Sequence, residues 1–290
     1  MAGPERADAT IKTATGSAAG GVAGAGASGG AGAAGDRAAK AIGLTADGRS
    51  LVSFRTDRPA RTSGLGALTG LKGDQKLIGI DYRVQNNTLY GVGDLGGIYI
   101  LREQGARATK VSQLTVALQG QNFGVDFNPA ANRLRVISDT GQNLRHNLDD
   151  PNGAPAAGTT AVDGTLTNPP VPPAPGATAL GVTAAAYTNN DLDAATGTTL
   201  FDLDSALDQI SVQSPANNGS LAPTGKLGTD AAADSGLDIL SSSADGSNTA
   251  FATTQNRLFR INLLTGKATS LGAFPEGRQV TDLALPLNQD

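Results

Sequence analysis

The 290-residue chain carries a formal charge of −4, with no Lys/Arg block, no cysteine and no tryptophan. That balance argues against a nucleic-acid partner, which needs clustered cations, and excludes disulfides, thiolate metal sites and cysteine nucleophiles. Its 39 glycines and 14 prolines, against 4% aromatics, fit an all-β protein with many tight turns, and no apolar run is long enough to span a membrane.

Residues 1–40 are almost wholly Ala, Gly, Ser and Thr with a few charges. Such a stretch buries too little apolar surface to offset its ordering entropy, so a flexible tail is expected there and a folded domain over 41–290. The tail also lacks the apolar core of a signal peptide. Strands are expected at 40–44, 50–55 and 62–68.

The clearest unit starts at Leu77, with strands at 77–83, 88–93, 98–102 and 108–114 separated by Asn86-Asn87, Gly96-Gly97 and Gly105. The next has strands at 123–127, 133–138, 142–148 and 159–166, with turns at Asn128-Pro129-Ala130-Ala131-Asn132 and Asp139-Thr140-Gly141. A Pro-rich stretch over 168–175 follows, read as an exposed loop because proline has no amide for a ladder. Two further units take strands at 182–187, 199–204, 209–213 and 221–227, then from 237, 248–253, 257–262 and 267–271. A last strand covers 280–285.

Four segments rhyme across these units: Gly79-Ile80-Asp81-Tyr82, Gly124-Val125-Asp126-Phe127, Gly236-Leu237-Asp238-Ile239 and, with Thr281 for the glycine, Thr281-Asp282-Leu283. Four short strands repeated at intervals of a few tens of residues mark β-propeller blades. The N-terminal unit lacks its aspartate-bearing first strand and the C-terminus has one to spare. Pairing the two closes the ring and removes two open sheet edges. The sequence therefore predicts a five-bladed β-propeller over 41–287, closed by the C-terminal strand on the N-terminal blade. A six-bladed ring with a degenerate blade at 150–180 is the runner-up, against which the prolines argue, and a β-sandwich is third.

The run Gly124-Val125-Asp126-Phe127-Asn128-Pro129, then Arg133-Leu134-Arg135-Val136 and Ser138-Asp139-Thr140-Gly141-Gln142-Asn143-Leu144-Arg145, resembles the bacterial family of domains of unknown function called DUF4394. Ala184-Ala185-Ala186-Tyr187-Thr188-Asn189-Asn190 and Gly236-Leu237-Asp238-Ile239 match its later part. The resemblance implies an exported or envelope-associated propeller-like domain and carries over no activity.

First strands line a propeller's channel, so Asp81, Asp126, Asp238 and Asp282 are expected at one level around the axis, with Ala185-Ala186 breaking the ring. Converging carboxylates can hold a hard cation such as Ca²⁺ or act as acid and base in glycoside cleavage. They can also accept backbone amides of the neighbouring blade, and recurrence at one blade position favours that structural role. A second polar cluster, Arg133, Arg135, Asp139, Gln142, Asn143 and Arg145, has the side chains that recognise carboxylates or sugar hydroxyls, though turn building and ion pairing would use them equally well.

His146, the only histidine, cannot make a multi-histidine metal site and is read as an ordinary strand residue. The run Asp202-Leu203-Asp204-Ser205-Ala206-Leu207-Asp208 resembles a calcium loop but lacks the mid-loop glycine and distal glutamate of an EF-hand. Glu5, Glu103 and Glu276 are the only glutamates, and Glu276 alone falls near the channel mouth. The resulting expectation is a non-catalytic binding or structural module, outside the cell or in its envelope, with a protein or envelope partner. Its rival is a hydrolase of a small carbohydrate-like substrate using the channel aspartates.

Overall fold

The computed structural model describes residues 38–193, 196–242, 244–287 and 289. The expected tail therefore falls, up to residue 37, outside the described residues. Strands β1 (Lys40–Thr45), β2 (Ser50–Arg55) and β3 (Ser63–Ala67) begin blade one. Blade two is β4 (Leu77–Arg83), β5 (Thr88–Gly93), β6 (Gly97–Arg102) and β7 (Arg107–Gln113). Blade three is β8 (Phe123–Asn128), β9 (Arg133–Ser138), β10 (Asn143–Asn147) and β11 (Thr159–Val162). Blade four is β12 (Val182–Tyr187), β13 (Leu200–Asp204), β14 (Gln209–Gln213) and β15 (Leu221–Lys226). Blade five is β16 (Gly236–Ser241), β17 (Asn248–Thr254), β18 (Arg257–Ile261) and β19 (Ala268–Ala273), and β20 (Val280–Ala284) is the last strand.

Every sheet has four antiparallel strands, and β20 pairs with β1 to complete blade one. The protein is a five-bladed β-propeller closed by its own C-terminus. Blade one begins slightly earlier than residue 41, since the Thr56 amide donates to the Ala39 carbonyl and the Ala39 amide to Thr56 Oγ1. Asn87 (φ 48°) and Asn132 (φ 52°) take the left-handed backbone in two first hairpins, which asparagine tolerates better than other side chains. The Pro-rich loop makes only isolated bridges, such as Thr167 with Thr178, and no sixth blade.

Alternating side chains give each blade two apolar faces, and the core is accordingly five clusters, one per seam. Ile42, Leu51, Ile80 and Tyr99 fill the seam of blades one and two, and Val92, Ile98, Val125 and Leu134 that of two and three. Ile137, Leu166, Tyr187 and Leu200 lie between three and four. Phe201, Leu203, Leu237 and Phe259 lie between four and five. Phe54, Phe251, Phe274, Val280 and Leu283 close five on one.

Burying one such large side chain contributes about 1.5–3 kcal/mol, against a net stability of roughly 5–15 kcal/mol for a folded protein. Removal of residues 280–290 takes away buried Val280, Leu283 and Leu285 and bares the β1 edge. This truncation is expected to abolish most of the denaturant-measured stability. An unchanged unfolding midpoint would show that closure contributes nothing.

Candidate functional site

The innermost strand of each blade has one edge that no ladder covers, and its inward amides need acceptors. Aspartate supplies them. Asp81 Oδ1 accepts from its own neighbour Tyr82 N at 2.6 Å, while Oδ2 crosses to Phe127 N at 2.7 Å. Asp126 Oδ1 crosses to Tyr187 N at 3.2 Å. Asp238 repeats the double arrangement, with Oδ1 on Ile239 N and Oδ2 on Leu285 N, both at 2.6 Å. Three carboxylates thus serve one amide in each of five blades. The two amides that have alanine upstream of them, Tyr82 after Ala284 and Ile239 after Ala186, are the two served by the aspartate that precedes them.

This pattern corrects the expected level of Asp282. The crossing bonds end one residue beyond the aspartate level of the next blade, and Leu285 puts Ala284 at that level in blade one. Asp282 stands two residues earlier, level with Gly79, Gly124 and Gly236. Its Oδ2 accepts from Ile80 N at 2.8 Å. The cluster of mutually close axial carboxylates is accordingly Asp81, Asp126 and Asp238, with one oxygen from each within 4.8 Å of the others, a spacing that a hard cation can bridge.

The glycine two residues before each aspartate lets the strands approach. A Cβ on Gly124 would lie 2.6 Å from Ala185 N, and one on Gly236 2.6 Å from the Cα of Asp282. Overpacking of this kind typically costs about 1–3 kcal/mol and occasionally more, and the obstruction at Gly124 is backbone that cannot rotate away. Gly124→Ala should therefore lower the unfolding free energy by about 2 kcal/mol or more. Gly64→Ala, which meets nothing within 4 Å, should change it by less than about 0.5 kcal/mol. Equal effects in urea denaturation would refute the close-approach role.

The profile described as a domain of unknown function, DUF4394, matches residues 50–284. The chain belongs to the DUF4394 family. No curated protein matches the chain. Among solved structures, a chain of a nidogen/laminin complex is similar at 10% identity and a TM-score of 0.43, covering 87% of this chain and 100% of its own. An auxiliary nutrient binding protein from Bacteroides thetaiotaomicron is 11% identical at 0.43, over 79% of this chain and 56% of its own. A protein of unknown function from the same organism is 12% identical at 0.47, over 89% and 66%.

The segment of β9, β10 and the turn between them divides its polar side chains among three tasks. Arg135, buried at 2% exposure, donates to Tyr187 Oη, Asn143 Oδ1, Asp163 Oδ2 and Asn217 Oδ1. Arg145 grips both oxygens of Asp163, and Asn143 Nδ2 donates to the Gly164 and Ala216 carbonyls. These three side chains form one clamp across the seam of blades three and four. Arg133 holds the loop at Ala154 and Asp150. Asp139 accepts the Gln121 and Asn122 amides and Gln142 braces Ala117 and Gln119. The six do not converge on one ligand.

Asp163, the centre of the clamp, went unseen in the sequence because it stands in no repeat. Asp74 escaped for the same reason, although its carboxylate receives Tyr99 Oη at 2.5 Å and Leu95 N at 2.6 Å. Glu276 lines an open cleft of about 680 Å³ beside blade one, with Asp47, Arg278 and Asn256, rather than the channel mouth. The mouth is a separate cavity of about 100 Å³ lined by Lys76, Gln121, Thr183, Asp234, Ser235 and Asp282.

Burial raises Asp81 and Asp126 well above the ordinary carboxylate value of 3.8, and the neighbouring aspartates push the same way. Burial likewise lifts Asp238 to about 7, its amide bonds opposing. His146 is fully buried between Ser112 and Thr160, 2.9 Å from each, and burial lowers it from 6.5 to about 4. The two kinds of shift have opposite linkage. The folded aspartates hold protons that the unfolded chain has lost, so their contribution to stability falls as pH rises from 3.8 through about 7. His146 is neutral when folded and protonated when unfolded, so its contribution rises between about 4 and 6.5. The carboxylates outnumber the histidine, so net stability should fall across this window. Asp126→Asn should flatten the fall and His146→Gln should steepen it, as read from urea midpoints against pH. Parallel curves for all three proteins would contradict the assignment.

Proposed function

We propose that this DUF4394 domain is a non-catalytic binding and structural module acting outside the cell or in its envelope. The observation that carries the reading is the state of the axis. Its buried carboxylates are engaged by backbone amides beneath a mouth of about 100 Å³. Pockets that enclose small molecules are usually about 300–1,000 Å³, so a sugar has no room over those groups from the end where the first strands begin. Glycoside cleavage would also need two available carboxyls, whereas both oxygens of Asp81 and of Asp238 receive backbone amides and only Asp126 keeps an oxygen that takes none. On this reading a Ca²⁺ ion bridging Asp81, Asp126 and Asp238 would relieve their mutual repulsion as protonation does, again in a structural role.

The placement outside the cytoplasm rests on the family resemblance. No helix among the described residues is long and apolar enough to cross a membrane. A protein or envelope component would dock on the face carrying the open cleft beside blade one, formed by the turns around Asp47, Glu276 and Arg278.

A panel of nitrophenyl furanosides and pyranosides tests the catalytic side of this reading. The purified chain should release no more nitrophenol than its Asp126→Asn variant. Release that Asp126→Asn abolishes would make the channel an active site. Cell fractionation tests the placement, and recovery of the protein in the cytoplasm would overturn it.

A further inference from the structure

Half of the buried side-chain atoms that lack a hydrogen-bond partner among the described residues lie on one face of blade four. They are both oxygens of Asp202, Asp204 Oδ2, Ser211 Oγ and Gln213 Oε1. Asp202 and Ser211 stand directly opposite each other in the ladder of β13 and β14, and Gln213 opposite Leu200. Alternation along a strand puts residues 200, 202 and 204 on one side, with 211 and 213 beside them. Leu200 belongs to the cluster between blades three and four, so this row of oxygens faces that seam. Asp202 and Ser211 have no exposure at all and Gln213 has 2%.

Every one of these atoms can accept, and the Ser211 hydroxyl reaches no partner. An isolated carboxylate in such a place is strongly disfavoured unless something positive or a proton satisfies it. Arg135, a cation acting on Asp202 from across the seam, is already committed to Asp163, Asn143, Asn217 and Tyr187. Asp204 also caps the following turn, its Oδ1 accepting from Ala206 N and Leu207 N. Asp208 belongs elsewhere, on Ala231 N. The calcium-loop likeness of 202–208 thus fails as a loop, while its first two acidic residues face a buried seam rich in uncommitted oxygens.

We propose that Asp202, Ser211 and Gln213 hold a Ca²⁺ ion in the seam between blades three and four. Carboxylate, hydroxyl and amide oxygens are the donors that this hard cation takes, and it accepts irregular geometry. The site is separate from the axial carboxylates and does not depend on their role. Because it is enclosed, the ion would enter as the blades assemble, and binding would appear as folding stability.

The test uses the full chain unfolded in EDTA and refolded with or without excess CaCl₂, followed by elemental analysis and thermal melts. The wild type should retain one equivalent of calcium and melt higher with calcium than without, by mass action on the folded state. Asp202→Asn should lose that equivalent and its calcium response. In EDTA at pH 8 it should melt no lower than the wild type, because burial makes ionising Asp202 without a cation costly. Ser211→Ala, the milder change, should need more calcium for the same rise, which keeps the test open if Asp202→Asn folds poorly. A wild type with neither calcium nor a response would overturn the proposal and leave a protonated Asp202 in the seam. Loss of the calcium in Asp126→Asn, with retention in Asp202→Asn, would overturn it by moving the ion to the axis.

Discussion

A propeller brings the inner edges of its sheets together where neither water nor a further strand can satisfy them. The amides of those edges must find acceptors within the ring, and most of this chain's recurring sequence answers that need. The glycine of Gly-x-Asp removes the Cβ that would hold neighbouring strands apart, and the aspartate two residues later reaches an amide in the space so made. Backbone spacing and hydrogen bonding are therefore one device. It also concentrates carboxylates in a confined place, which raises their affinity for protons. Serving five amides with three carboxylates, instead of five, limits that accumulation of charge.

The same economy explains why a visually suggestive cluster is not by itself an active site. Catalytic carboxylates keep an oxygen or a proton available to substrate, whereas both oxygens of Asp81 and of Asp238 receive backbone amides. The polar residues of β9 and β10 are equally committed, to Asp163, to loop carbonyls and to the connection at 117–122. What distinguishes the row beside Asp202 is the reverse condition of acceptors with no protein donor.

Much of this fold was legible in the sequence. Strands such as β4, β5, β9, β12 and β14 fall where alternation and Asn/Gly turns put them, and the missing first strand of blade one was recognisable at the C-terminus. The repeat also exposed Asp81, Asp126 and Asp238 as axial. It misled at Asp282, because an aspartate beside a leucine was aligned by residue type. Its true level depends on pairing with β1, where Asp282 faces Leu44 and Ala284 faces Ile42. Asp163 and Asp74 belong to no repeat, and their roles arise from partners tens of residues away. Asp202 was noticed for its spacing, but its isolation comes from burial that no local pattern encodes.

The ring of crossing carboxylates has one gap. Asp282 reaches from blade one to two, Asp81 from two to three, Asp126 from three to four and Asp238 from five to one. Ala186 offers no carboxylate across the axis from four to five, where the apolar seam of Phe201, Leu203, Leu237, Ile239 and Phe259 is joined by Asn189 N and Asn190 Nδ2 donating to Ser241 Oγ and its carbonyl. Apolar attraction weakens on cooling, while hydrogen bonds do not share that temperature dependence. The circle is therefore uneven: the joint between blades four and five, which no axial carboxylate spans, draws a larger share of its hold from the attraction that cooling weakens.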